Sequence, residues 1–284
     1  MVCSNPIVIY TTVPKLGMTT EVGCGKCILC RIKRYSEWLI RLEYESKYYN
    51  FKNKCFLTIT YNDENIPASG DLCRRDVQLF LKRLRKNLKL KDFKYFLSGE
   101  YGENTKRPHY HAICFGMYPP DGEFLKMTKK GYKIYRSDFL DGCWSKGFVN
   151  YGHVAHDSLS YVVGYLFKKD DRGASPEFHL QSKGIGKRYC LDNKDKFLKD
   201  LCIRRGGREV SLPRYYYKLL GLSEDEVLRI TSERNAKSKE CKLLDKSLDE
   251  KDYFSKLEII RLAARQDELN HEARTRLLRS RSQV

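Results

Sequence analysis

Within 284 residues the sequence has no apolar run approaching the length that crosses a bilayer. Its opening, MVCSNPIVIYTTVPK, has only a short β-branched run at Ile7–Tyr10. It lacks the basic n-region and long apolar h-region of a secretory leader, so no signal peptide is expected. There is no internal repeat and no long low-complexity tract. Negative charge is in short supply: 36 Asp and Glu stand against 54 Lys and Arg, for a net charge of +18. A surface so self-repelling fits a polyanionic partner, and nucleic acid is the commonest one. What is abundant is aromatic, with 20 Tyr and 13 Phe. Most of those rings belong in a core, and the remainder offer stacking surfaces for unpaired bases. Hydrophobic residues at 41% exclude global disorder, and the length suits one full domain plus a smaller appendage. Cysteine is plentiful yet odd in number, at 11, with three crowded into one heptapeptide. That distribution does not suit a secreted disulfide framework. Reduced thiols in a cytoplasm, some of them metal ligands, fit it better.

Three regions follow from pattern. Residues 1–50 form a Cys-containing basic segment, in which Ile32, Tyr35, Leu39 and Leu42 recur at helical spacing within Arg31–Tyr49. Residues 51–190 hold a mixed core. Cys55–Tyr61 reads as a strand and Asp76–Leu90 as an amphipathic helix with Val77, Phe80, Leu81, Leu84 and Leu88 on one face. Lys94–Tyr101 and His109–Phe115 form an antiparallel hairpin across a short polar loop. A Pro, Gly and Lys-rich insertion begins near 118, followed by a strand near Phe148–Val154 and a helix over Asp157–Lys169. Residues 191–284 are charged and mainly helical in pattern, with Ser223 and Glu226 spaced as a capping box.

The sharpest chemical feature is Arg107-Pro-His109-Tyr-His111. Side chains two apart on a strand share a face, so both imidazoles aim into one place. Two such imidazoles begin a divalent-metal site, and Mg²⁺ or Mn²⁺ would also want a carboxylate oxygen. Glu100, at the end of the preceding strand, supplies one; Glu103 in the loop is the less rigid alternative. Two satisfied core histidines would show the same spacing. On the helix, Tyr161, Tyr165 and Lys168 lie at i, i+4 and i+7, separate from the apolar stripe Leu159, Val162, Val163 and Leu166. A phenol ordinarily titrates near 10, so it is a poor nucleophile until a cation such as Lys168 or Lys169 stabilises its oxyanion.

Cys24, Cys27 and Cys30 are too few for an ordinary zinc site unless a fourth ligand joins them, and Cys3 is the candidate. An iron–sulfur run would want a further cysteine where Arg34 stands. A tight turn of reduced thiols is the plain alternative. Gly184-Ile-Gly186-Lys187 lacks the glycine spacing of a phosphate loop and suits a close backbone approach to DNA. His153 and His156 flank a turn and suit a surface.

Taken together, the His-x-His strand, the acid on its partner strand and the Tyr-x-x-x-Tyr-x-x-Lys-Lys helix resemble the HUH endonuclease superfamily. More narrowly they look like the two-tyrosine rolling-circle initiators of microviruses, in particular the gokushovirus branch. Cys55–Tyr61, Arg107–His111 and Tyr161–Lys169 match its three motifs in order. Gly142–His153 and the cysteine triplet also look like microvirus replication proteins. The resemblance implies an α+β fold with a central antiparallel sheet and flanking helices, an HUH/RRM-like palm. It implies that His109, His111 and Glu100 hold Mg²⁺ or Mn²⁺, that Tyr165 attacks a scissile phosphate, and that Tyr161 serves as its partner. Arg107, Lys169, Arg31 and Arg34 would contact DNA. The implied partners are single-stranded origin DNA of a small circular genome, and a host helicase and DNA polymerase, in a bacterial cytoplasm and without a membrane. A plasmid initiator or transposase, a non-enzymatic basic DNA-binding protein with a zinc staple, and a metal-dependent hydrolase using water share some of these features.

Overall fold

A computed structural model describes residues 3, 5–10, 19–102, 105–164, 177–205 and 207–230. The chain begins with β1 (Ile7–Tyr10) and β2 (Thr19–Val22), then α1 (Ile28–Ser46), β3 (Lys54–Tyr61), α2 (Arg74–Asn87), β4 (Lys94–Tyr101) and β5 (Pro108–Phe115). There follow β6 (Glu123–Met127), β7 (Lys133–Arg136), α3 (Asp138–Trp144), β8 (Gly147–Gly152), α4 (His156–Gly164) and β9 (His179–Gln181). Last come α5 (Lys187–Asp192), α6 (Lys194–Asp200), β10 (Cys202–Arg205), β11 (Arg208–Ser211) and α7 (Arg214–Leu220). Contacts divide the chain into two compact units, one of Trp38–Asp195 and the other made of the described residues before and after it. Among the described residues no helix is long and apolar enough to cross a membrane.

The larger unit is built on a seven-stranded sheet of order β6-β7-β8-β3-β5-β4-β9, in which every pairing is antiparallel. The fold is thus the mixed α+β arrangement that the motif order implied. Alternation along β3 explains its two faces: Cys55, Leu57, Ile59 and Tyr61 are buried, while the residues between them are half-buried. The buried set joins Tyr110, Ala112 and Cys114 of β5, Val77, Phe80, Leu81 and Leu84 of α2, and Leu140, Cys143 and Trp144 of α3 in one core. The expected apolar stripe of α2 is the one that faces inward. On the opposite face Trp38 of α1 packs on Phe96, their rings 5.0 Å apart, and Tyr49 packs on Phe115 at 5.4 Å.

Three segments differ from the sequence-based expectation. The stretch expected as an insertion after 118 contains β6 and β7, which extend the sheet beyond β8. Every residue of β6 is exposed, so it carries no alternating apolar signal. Next comes α3, started by Ser137, whose Oγ accepts from the Leu140 amide at 3.1 Å. Arg83 of α2 closes its other end, donating to the carbonyls of Cys143 and Trp144 at 2.7 and 3.1 Å. In the smaller unit, the charged region holds the hairpin β10–β11 as well as helices. The expected capping box is present: the Ser223 amide donates to Glu226 Oε2 at 2.8 Å and the Glu226 amide to Ser223 Oγ at 3.2 Å.

Trp144 links the two halves of the main core. Its ring lies 5.0 Å from Tyr61 and 5.9 Å from Phe80, and its Nε1 donates to the Thr60 carbonyl at 3.0 Å. Trp144→Ala is expected to cost about 3–5 kcal/mol in urea denaturation, whereas truncating the exposed Phe148 on the neighbouring strand should change stability by less than about 0.5 kcal/mol.

Candidate functional site

The registers of β8, β3, β5 and β4 lay side chains out in rows. Phe148, Thr60, His109 and Glu100 stand directly opposite one another across four strands. The next row holds Asn150, Thr58, His111, Ser98 and His179. Both rows lie on the face away from the main core, because their neighbours Tyr110 and Ile59 point into it. The two histidines and Glu100 are therefore on one face of adjacent central strands, as their spacing predicts.

Hydrogen bonds orient the imidazoles. His109 Nδ1 donates to the Arg107 carbonyl at 2.6 Å, which leaves Nε2 as the lone-pair nitrogen of the neutral ring. Gly102 makes room for that ring: a Cβ there would stand 3.1 Å from His109 Cε1. His111 Nε2 meets Glu100 Oε1 at 2.8 Å, and its Nδ1 lies 3.3 Å from Thr58 Oγ1. Both partners of that pair are buried, Glu100 at 7% and His111 at 6% exposure. A hydroxyl can donate or accept, so Thr58 suits either tautomer of His111. A cation taking Nε2 together with the Glu100 carboxylate would move the ring proton to Nδ1, where Thr58 Oγ1 accepts it. In chemical type the donor set fits Mg²⁺ or Mn²⁺. Among the described residues the three donors do not gather within 4.8 Å of one another as the cysteine group described below does. Here the direct His111–Glu100 bond holds two of them.

Helix α4 crosses this face. Leu159, Val162 and Val163 are buried, as its apolar stripe requires. Ser98 Oγ donates to the Val162 carbonyl at 3.1 Å, tying the helix to β4. Tyr161 is then directed over the site: its ring lies 5.1 Å from that of His111 and 6.1 Å from Phe56, while Phe56 stacks on His111 at 5.7 Å. Tyr161 remains 49% exposed, so a large partner could reach it. Tyr165, Lys168, Lys169 and Glu103 lie outside the described residues.

Arg107 has internal partners. Its Nη1 lies 2.6 Å from Asp63 and its Nη2 donates to the Tyr61 carbonyl at 2.7 Å. It lines an open recess with Thr60, Asn62, Asp63, Glu64 and the exposed Phe148, beside the His109 row. Arg31 and Arg34 stand in the first turns of α1, and Arg34 donates to the Gly25 carbonyl at 3.5 Å. The glycines of Gly184-Ile-Gly186 allow a close approach to α1: the Gly186 amide donates to buried Glu45 at 2.7 Å and Arg41 to the Ile185 carbonyl at 3.1 Å. His156 pairs with Glu43 at 3.0 Å, and exposed His153 stacks on Tyr118.

Cys3, Cys24, Cys27 and Cys30 come together, their sulfurs all within 4.8 Å of one another. Burial and the neighbouring thiols of Cys27 and Cys3 push the Cys30 thiol up to about 12. The remaining site residues, Thr58, Ser98, Asn150 and His179, were not legible from sequence. Hydroxyl and amide residues on strands have no distinctive spacing, and only pairing register reveals them.

Comparison with known proteins agrees with this arrangement. The family model of the replication-associated protein ORF2 group matches residues 54–170, a span that contains both histidines, Glu100 and Tyr161. The chain is 32% identical over 248 residues to replication-associated protein VP4 of Bdellovibrio phage phiMH2K, covering 82% of this chain and 78% of that one. It is 32% identical to replication-associated protein ORF2 of Spiroplasma virus 4, over 69% of this chain and 66% of that one. Replication-associated protein ORF4 of Chlamydia phage 1 is 29% identical, over 71% of this chain and 54% of that one. No solved structure matches.

Because one hydroxyl ties α4 to the sheet, Ser98→Ala is expected to cost about 1 kcal/mol. Amide exchange should accelerate in residues 156–164 and stay unchanged in α2, as read by hydrogen-exchange mass spectrometry.

Proposed function

The chain belongs to the phage replication-associated protein family, and on that footing we propose that its core nicks single-stranded or melted origin DNA by tyrosine transesterification. Membership makes it a protein of phage DNA replication and its initiation; the chemistry is the further step. The observation that carries it is the Tyr161 ring, 5.1 Å from His111 on the face that also bears His109 and Glu100.

In this reading His109, His111 and Glu100 hold Mg²⁺ or Mn²⁺, which when bound withdraws charge from the scissile phosphate as a Lewis acid. The Arg107 carbonyl and Thr58 keep both imidazoles aimed. A tyrosine oxygen forms a bond to phosphorus while the bond from phosphorus to the 3′ oxygen breaks. The phenol loses its proton and the leaving 3′ oxygen gains one, so charge and atoms balance. The products are a 5′-phosphotyrosine and a free 3′-OH that a host polymerase can extend, with a host helicase opening the duplex. An ester is exchanged and none is hydrolysed, so rejoining needs no ATP. Tyr165, one turn beyond Tyr161 and ahead of Lys168 and Lys169, is the primary nucleophile. Tyr161 is the second, able to attack while the first stays linked. The excess of basic residues holds the strand through its phosphates, and exposed Phe148 offers a ring for an unpaired base.

The test is incubation of the full chain with Mn²⁺ and labelled single-stranded oligonucleotides tiling the phage genome, followed by denaturing electrophoresis. A phosphodiesterase-sensitive adduct on one origin oligonucleotide is expected. It should vanish in the Tyr161→Phe/Tyr165→Phe double variant and form at least about 100-fold more slowly with His111→Ala. Cleavage without any adduct would mean that water attacks, and would sink the tyrosine mechanism.

A further inference from the structure

We propose that Cys3, Cys24, Cys27 and Cys30 form a closed four-thiolate centre for one zinc ion. The first support is metric. Four sulfurs at about 2.3 Å from a central ion lie about 3.8 Å apart along the edges of the tetrahedron. Cys3 Sγ and Cys27 Sγ are 3.7 Å apart, and all four sulfurs lie within 4.8 Å of one another. That spacing is far beyond the bond of about 2.05 Å in a disulfide, and all four cysteines are free. It is also too tight to enclose a polynuclear cluster between the sulfurs.

The second support is how the backbone treats these sulfurs. The amides of Lys26 and Cys27 both point at Cys24 Sγ, at 3.4 and 3.3 Å, and the amide of Cys24 points at Cys3 Sγ at 3.3 Å. Amides aimed at sulfur stabilise thiolate rather than thiol. Gly25, at φ 72°, makes the turn that brings two amides onto one sulfur. Cys27 and Cys30 stand at the start of α1, where the Arg31 amide bonds the Cys27 carbonyl at 3.0 Å. The first turn of that helix contains no Asp or Glu. Its unpaired amides therefore favour thiolates as their anionic partners.

The third support is what the centre would hold. The β1–β2 hairpin pairs Ile7 with Val22, which brings Cys3 and Cys24 together at its open end. All four residues of β1 are exposed, and a two-stranded hairpin without a buried face is marginal in water. A metal clamp between the hairpin's open end and the start of α1 supplies what burial does not. Soft thiolates with no carboxylate or imidazole among them select zinc over Mg²⁺ or Mn²⁺.

The test is elemental analysis of the full chain purified without added metal. About one zinc per chain is expected, released by a mercurial thiol reagent. Replacement with Co²⁺ should give the intense visible bands of tetrahedral cobalt thiolate. Cys24→Ser/Cys27→Ser should lose the ion, and His109→Ala/His111→Ala should keep it. Stoichiometric iron, an intact mass two daltons light from a disulfide, or a metal-free folded chain would each overturn the proposal. So would zinc that survives the cysteine variant and leaves with the histidines. Should the cysteine variant not fold, the Co²⁺ spectrum of the unaltered chain still decides. None of these readouts involves DNA cleavage, so the centre and the nicking reaction stand or fall separately.

Discussion

The antiparallel register of β5 with β3 and β4 is the constraint on which the site depends. It sets Glu100 opposite His109 and Thr58 opposite His111. A slip of one residue would send both imidazoles into the apolar core and bring Tyr110 out. Tyr110 resists that slip. Its hydroxyl accepts from the Cys73 amide at 2.7 Å and lies 3.1 Å from that of Tyr61, in full burial. Burial pushes this phenol up to about 12, so it stays protonated and keeps its bonds. A slip would leave those groups unpaired and bury two imidazoles without partners, each a cost of about 1–3 kcal/mol. The residue between the histidines thus holds them in place.

The two faces of the sheet divide the work. Toward α2 and α3, aliphatic and aromatic side chains interdigitate around Trp144 and supply stability. Toward α1 and α4 the central strands carry hydroxyls, imidazoles and a carboxylate, and there the packing is directed by hydrogen bonds. Ser98 fixes α4 by one bond to Val162, and Glu45 gathers Lys94, the Gly186 amide and Tyr49 around one buried carboxylate. Polar contacts of this kind have strict geometry. They suit a face where a ring must be held at a set place, which apolar packing alone does less well.

Features ruled by short-range periodicity could be read before folding. The shared face of His109 and His111 follows from period two, the contribution of Glu100 from the short loop between β4 and β5, and the orientation of Tyr161 from its offset to Leu159 and Val162. Features ruled by long-range pairing could not. Strands β6 and β7 are short and largely exposed, and they form because β8 offers an edge. Thr58 and Ser98 become site residues only through register. Arg107 looked like a free cation, yet the turn after β3 brings Asp63 and the Tyr61 carbonyl to it. Cys3 is a separate case, because 21 residues part it from Cys24 and only the hairpin closes that gap.

On the two readings proposed here, the chain presents donor sets of opposite character. The thiolate quartet is soft and binds zinc far more tightly than imidazole and carboxylate bind Mg²⁺ or Mn²⁺. Left alone, a pair of histidines beside a glutamate would also prefer zinc over the harder ions, as the general affinity order dictates. A saturated cysteine centre does not remove that preference, so selectivity at the histidines has to come from local geometry and from which ions are available. The direct His111–Glu100 bond contributes to that geometry. An incoming ion must displace it and shift a proton toward Thr58, which weakens binding for every metal alike. Weak binding matches the six-coordinate, water-keeping habit of Mg²⁺ and Mn²⁺ at a phosphate, and it leaves tight metal retention to the four sulfurs.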